Sequence, residues 1–320
     1  MTAIRRFLPS LVVMALGSLA SFVSAQSYPT KPLTMVVPSA AGSGNDITAR
    51  RFGSAFQEEL KQTVVVENRP GVGAALGVTT VAKAPPDGYT WLFLGGDSAS
   101  PVFGKQIPYI LDELTPVIQL TRGAFFLITS TAIPAANVEE FVRIVKANPG
   151  KYNYASAATT QMIAMEVVKQ KAGLDIVHVP YKGIAQVNSA FMQGEIIAFL
   201  SIATGLESAI AQKKVRFLAY LDGERNPLYP DVPSAPEVGL GGVTSRYSQA
   251  VWVPKGTSAA LISRLNASFN NVLKRPDIQE FVRAQGSQIS GGTPEAHAES
   301  IRVAYAFWAE AARIAKFVPD

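Results

Sequence analysis

The sequence predicts an α/β fold built as two lobes, on three observations. Short apolar runs of four to six residues alternate with stretches whose apolar residues recur at helical spacing. Loops of small and polar residues follow several of the runs and open directly into helices. The chain has 320 residues, 48% of them hydrophobic, which is enough for two separate cores.

The N-terminus stands apart from this alternation. Arg5 and Arg6 precede an apolar stretch from Phe7 to Val23, and Val23-Ser24-Ala25 offers a small-residue cleavage site. Residues 1–25 are therefore expected to be a signal peptide, removed on secretion. The segment is interrupted by Pro9, Gly17 and several serines, which argues against a permanent membrane anchor. The chain has no cysteine, so a disulfide framework, a thiol nucleophile and the acylated cysteine of a lipoprotein are all excluded. Net charge is +5, and +3 without the two arginines of the first 25 residues. The basic residues are scattered and are not interleaved with aromatics, so no nucleic-acid platform is expected.

Strands are expected at Leu33–Val37, Val64–Glu67, Trp91–Leu94, Phe125–Thr129, Tyr152–Ala155, Ile176–Val179, Ile196–Leu200, Val215–Tyr220 and Ala250–Val253. Ile47 to Leu60 places Phe52, Ala55, Phe56 and Leu60 on a helix face, and Val138–Ala147 and Ala185–Gln193 behave likewise. Asp46 and Asn137 are expected N-caps. Alternation of this kind predicts mostly parallel sheets with helices on both faces. The tail is helical apart from a short strand near Gln288: Ala259–Lys274, Asp277–Gln285 after Pro276, and a last helix opened by Thr293-Pro294-Glu295. Its Ile301, Tyr305 and Trp308 form a stripe expected to face the core.

Catalytic chemistry is hard to find. The two histidines, His178 and His297, have no obvious serine or carboxylate partner in the sequence. There is no Walker sequence and no metal-ligand cluster, and Gly42-Ser43-Gly44 and Gly71-Val72-Gly73 both lack the third glycine of a dinucleotide fingerprint. Neither a cofactor nor a metal is expected.

Binding chemistry is better represented. The loop Ser39 to Asp46, through Ala41, Gly42, Ser43 and Asn45, leads at once into a helix, so its backbone N–H groups can cradle an anion. A plain strand-to-helix connection would use the same small residues. A second loop carries Ser156, Thr159 and Thr160, which can cap the following helix or donate to a ligand. A third runs from Ser201 through Thr204 to Gly205. Tyr181 can floor a pocket or pack at its strand end.

The order of short motifs resembles one family over nearly the whole chain from Tyr28. These are Tyr28-Pro-Thr-Lys-Pro32, Val66-Glu-Asn-Arg-Pro-Gly71, Pro86-Asp-Gly-Tyr89, Ala147-Asn-Pro-Gly150, His178-Val-Pro-Tyr-Lys-Gly183, Tyr229-Pro-Asp-Val-Pro233, Pro254-Lys-Gly-Thr257 and Gly292-Thr-Pro-Glu295. The chain is similar to the periplasmic receptors of tripartite tricarboxylate transporters, the Bug or TctC family. The resemblance implies a type II-like periplasmic binding protein with two crossover strands, lobe one from 26–123 and 249–320, and lobe two from 124–248. It implies a non-catalytic, monomeric receptor that closes on a mono- or dicarboxylate and docks on a membrane permease. Ser39–Asp46, Ser156–Thr160 and Ser201–Gly205 would hold the carboxylate, with Asp97 and Ser98 contributing. The family's first loop usually reads Pro-Gly-Gly-Gly-Thr-Asp. Here Asp46 is kept and Asn45 replaces the threonine, while the second loop, Ala155-Ser-Ala-Ala-Thr-Thr-Gln161, has side chains in place of the usual glycines. A ligand-sensing protein that signals to a partner and a secreted α/β hydrolase are the alternative functions.

Overall fold

The computed structural model describes residues 28–71, 74–95, 110–203 and 206–318. Asp97, Ser98 and Thr204 lie outside the described residues. In chain order the elements of the first half are β1 (Leu33–Val37), α1 (Gly44–Leu60), β2 (Val64–Asn68), α2 (Ala75–Ala82), β3 (Thr90–Phe93), α3 (Ile110–Glu113), β4 (Leu114–Ala124), β5 (Phe126–Ser130), α4 (Val138–Lys146) and β6 (Asn153–Ser156). There follow α5 (Thr159–Ala172), β7 (Val177–Pro180), α6 (Ile184–Gln193), β8 (Ala198–Ser201), α7 (Glu207–Ala211), β9 (Val215–Tyr220), β10 (Arg246–Pro254), α8 (Ala259–Leu273), α9 (Pro276–Ala284), β11 (Gln288–Ile289) and α10 (Pro294–Ile314).

Among the described residues these strands make two sheets, ordered β11-β4-β10-β3-β1-β2 and β7-β6-β8-β5-β9. The sheets are mixed, not mostly parallel. β1 pairs in parallel with β2 and β3, and β6 with β7 and β8, whereas β4, β10, β11, β5 and β9 join antiparallel. The reason is the path of the chain. It leaves the first sheet along β4 and returns along its neighbour β10, and adjacent strands walked in opposite directions must pair antiparallel.

β4 is a strand that the apolar pattern does not reveal. Pro116 and Gly123 interrupt its run. Pro116 faces Trp252 at a register shift in the ladder, a place where a missing N–H is tolerated. Gly123 leaves the space that the Tyr247 ring fills, for an added Cβ would lie 2.5 Å from the Tyr247 hydroxyl.

Each sheet buries both faces, and the alternation along its strands divides the side chains between them. In the first sheet Leu33, Met35, Trp91 and Phe93 meet Phe52 and Phe56 of α1 and Leu265 and Phe269 of α8. Val36, Leu92 and Trp252 meet Val78 and Val81 of α2 and Ile301 and Tyr305 of α10. In the second sheet Leu127, Tyr154 and Leu200 meet Phe141 of α4 and Ile163 of α5, and Phe126, Ala155 and Phe199 meet Val187 and Phe191 of α6. The stripe expected on α10 is buried, but it serves two cores. Ile301 and Tyr305 belong to the first sheet, whereas Trp308, Ala311 and Ala312 pack in the second.

Candidate functional site

The loop after β1 is organised by Asp46, although not as the expected N-cap. Ser43 caps α1 and accepts from the Asp46 N–H at 3.3 Å. Asp46 sits three residues into the cap and turns back, accepting the Gly42 N–H at 2.9 Å. Its other oxygen accepts from Asn68 Nδ2 at 2.9 Å, and Arg50 one turn along α1 closes on the same carboxylate at 3.0 Å. Asn68 Nδ2 also reaches the Ser39 carbonyl at 3.1 Å, and Asn45 donates to the Ser39 hydroxyl at 3.2 Å. Burial pushes the Asp46 carboxyl up, but Arg50, the Gly42 N–H and Asn68 together hold it below its ordinary value. The result is a charged side chain that is neutralised and only 3% exposed, under a loop whose Ala40, Ala41, Gly42, Gly44 and Asn45 are exposed. Gly42 turns through φ +78°, which a side chain would strain. The Gly42, Ser43 and Asp46 N–H groups are thus spent within the loop, and the amides of the exposed Ala41, Gly44 and Asn45 make no hydrogen bond to the described residues.

The loop after β6 is built differently. Ser156 is the last residue of β6 and is buried; its hydroxyl meets His178 Nε2 of β7 at 2.8 Å. The serine partner that the sequence does not reveal for His178 is thus the neighbouring strand's end. Among the described residues no carboxylate is hydrogen-bonded to the far side of this pair. Glu166 instead accepts the Tyr154 hydroxyl at 2.6 Å and pairs with Lys169 at 2.8 Å. Burial holds His178 below its ordinary value, so the ring is neutral at pH 7.

Neither Ser156 nor the threonines cap α5. Its N-cap is Ala158, which offers no side chain, and Gln161 instead accepts the Ala157 N–H at 2.9 Å. Thr159 and Thr160 are half-buried in the first turn, and their hydroxyls make no hydrogen bond to the described residues. The helix thus begins with free amides and two free hydroxyls.

Of the third loop, Ser201 proves to be the end of β8, paired with Phe126 and 2% exposed. Tyr181 donates its N–H to the Ser156 carbonyl at 2.9 Å, and its ring packs partly buried against the second lobe's core. Arg50, Asn68 and Gln161 were not among the expected residues. Arg50 stands four residues after Asp46, a pairing legible on any helix, and Gln161 stands three after its cap. Asn68 belongs to a motif whose role needed the parallel pairing of β1 with β2.

A cavity of about 1150 Å³ lies elsewhere, between α10 and the crossover strands, with Arg122, Tyr247 and Phe307 in its wall. None of the expected binding residues lines it.

The sequence profile described as "Tripartite tricarboxylate transporter family receptor" matches residues 48–299. The chain belongs to this family. The receptor is 31% identical over 291 residues to Protein BugT of Bordetella pertussis, covering 89% of each chain. Two solved structures from Rhodopseudomonas palustris share its fold. Rpa4515 with adipate has 25% identity and a TM-score of 0.82, with 92% of this chain and 100% of that one aligned. MatC with bound malate has 25% identity and a TM-score of 0.77, over 89% and 99%. The receptor is accordingly a non-enzymatic solute receptor of the two-lobed α/β kind, a class whose family members are periplasmic. Among the described residues no helix is long and apolar enough to cross a membrane.

Proposed function

We propose that the receptor binds a small organic acid through its carboxylate, in the cleft between a lobe of residues 26–123 and 249–320 and a lobe of residues 124–248. The observation that carries this reading is the start of α5. A helix end with no side-chain cap and two unpartnered threonine hydroxyls is a set of donors in search of an acceptor. The first lobe supports it with the exposed loop amides over a neutralised Asp46, which offers an incoming anion little repulsion. Two of the similar solved structures hold dicarboxylates, adipate and malate. Ser39, Ala41, Gly42, Ser43 and Asn45 would face the ligand from the first lobe, and Thr159 and Thr160 from the second. A ligand touched from both sides stabilises the closed arrangement, because only that form makes both sets of contacts. The closed, monomeric receptor then docks on the permease of a tripartite transporter, in the periplasm, after loss of residues 1–25.

Calorimetry of the purified mature chain against adipate, malate and their diamides tests this. Binding of an acid with no binding of its amide is expected. Binding of the amides as tightly as the acids, or of neither, would overturn it.

A further inference from the structure

The three residues between α9 and β11, Gln285, Gly286 and Ser287, lie outside every expected site, yet each reaches a different part of the molecule. Gln285 is hydrogen-bonded to Thr48 of α1, its Nε2 at 3.2 Å from the hydroxyl. Thr48 is 1% exposed and spends its own proton on the Gly44 carbonyl at 2.8 Å, so the Gln285 amide is the donor. Gly44 is the first helical residue after the capture loop. The chain Gln285–Thr48–Gly44 therefore ends on the loop that cradles the anion.

Gly286 faces the second lobe. Its carbonyl accepts Asn226 Nδ2 at 3.0 Å, and Asn226 is fully buried. The Asn226 Oδ1 accepts the Leu228 N–H at 2.9 Å, which fixes the orientation of the amide. Gly286 has φ +71°, and a Cβ there would lie 3.5 Å from Ala203 and 3.6 Å from the Tyr229 ring. Ala203 is in the loop after β8. Ser287 is 4% exposed and bonds to the Tyr247 hydroxyl of the crossover strand β10 at 2.8 Å.

We infer that Gln285 and Asn226 are positioning residues for the ligand site, a strap that sets the first lobe's capture loop against the second lobe's third loop. The inference rests on the proposed carboxylate site and adds to it the part that fixes the spacing of its two walls. That spacing decides how long a diacid can be held at both ends. Loss of either tie should therefore alter selectivity between ligands of different length, and not only affinity.

Gln285→Met keeps the length and removes the donor; Asn226→Asp keeps the shape and sets an acceptor oxygen against the Gly286 carbonyl. In Gln285→Met, hydrogen exchange of the hydrogen-bonded Ser43, Asp46 and Ile47 amides in the ligand-free receptor should quicken by about tenfold while the rest of α1 is unchanged. The ratio of adipate to malate affinity should shift by about threefold or more in both variants. Gln285→Glu, which can accept the Thr48 proton and free the Gly44 carbonyl, should perturb the same amides, and Gln285→Lys, which restores a donor, should relieve them. Unchanged exchange at Ser43, Asp46 and Ile47 in Gln285→Met overturns the inference whether or not either diacid binds. If the diacids bind and neither variant moves their ratio, the strap is overturned and the carboxylate site stands. If neither diacid binds, the carboxylate site falls and exchange alone judges the strap. Asn226 is deeply buried, so if Asn226→Asp does not fold, Gln285→Met decides.

Discussion

At the proposed anion site, Asp46 would shape the loop without touching the ligand, because its carboxylate is already met inside the protein. A carboxylate in that loop would repel an incoming acid unless its charge were met, and Arg50, Asn68 and the Gly42 N–H meet it. Asp46→Asn removes the charge but not the bulk. The Arg50 partner is lost and a buried donor faces the Gly42 N–H, so a stability loss of about 1–3 kcal/mol is expected. Ligand affinity should fall too, because the loop loses its anchor. Denaturant titration beside calorimetry checks both, and intact affinity would reduce Asp46 to a helix fixture. Thr159 makes the complementary case. Thr159→Val keeps the shape and deletes a hydroxyl that makes no hydrogen bond to the described residues. The ligand-free melting temperature should therefore hold, while affinity for the native acid drops about tenfold, the size of one unpaired group in a closed site. A lower melting temperature with intact affinity would assign Thr159 to the fold.

At the scale of elements, α10 carries most of the surprise. Its stripe follows ordinary helical spacing, yet the first half packs under one sheet and the last turns enter the other. Two strands and a helix, not two strands alone, thus bind the lobes together. Trp308 is 1% exposed in the second lobe's core, and Trp308→Ala should cost about 3–5 kcal/mol. Because α10 spans both cores, wild-type unfolding should be one transition by circular dichroism and tryptophan fluorescence. In Trp308→Ala the second lobe should melt first, splitting it in two. A single unsplit transition in the variant would show that α10 does not couple the lobes.

The whole molecule also carries an acid-sensitive weakness. His297 on α10 is 1% exposed, packs against Trp252 at 4.5 Å between ring centres, and has no hydrogen-bond partner at either nitrogen among the described residues. Burial pushes it from its ordinary 6.5 down to about 3. The unfolded chain therefore binds a proton that the folded chain refuses between those values. Stability is full above about pH 6.5 and is lost as pH falls towards 3, by up to about 1.4 kcal/mol per pH unit. Asp46 contributes in the same direction only below its ordinary 3.8, where protonation costs its partners. His297→Leu should reduce the dependence between pH 6.5 and 4, leaving the share contributed by the depressed His178 and the steeper fall below it. An unchanged slope over that range in the variant would acquit His297.

What the sequence determined by itself was local. Strand and helix positions followed from apolar spacing, within a residue or two for β1, β9, α4 and α8, because periodicity is a property of neighbours along the chain. The small-residue loops at strand ends were legible for the same reason, and their motif order marked the family. Only the tertiary structure decided who meets whom. Asn68 holds Asp46 because β2 lies beside β1, Ser156 meets His178 because β6 lies beside β7, and β4 becomes a strand because β10 pairs with it across Pro116 and Gly123. Gln285 reaches Thr48 across 237 positions of sequence. Such contacts follow from the packing of whole elements, and no spacing along the chain records them.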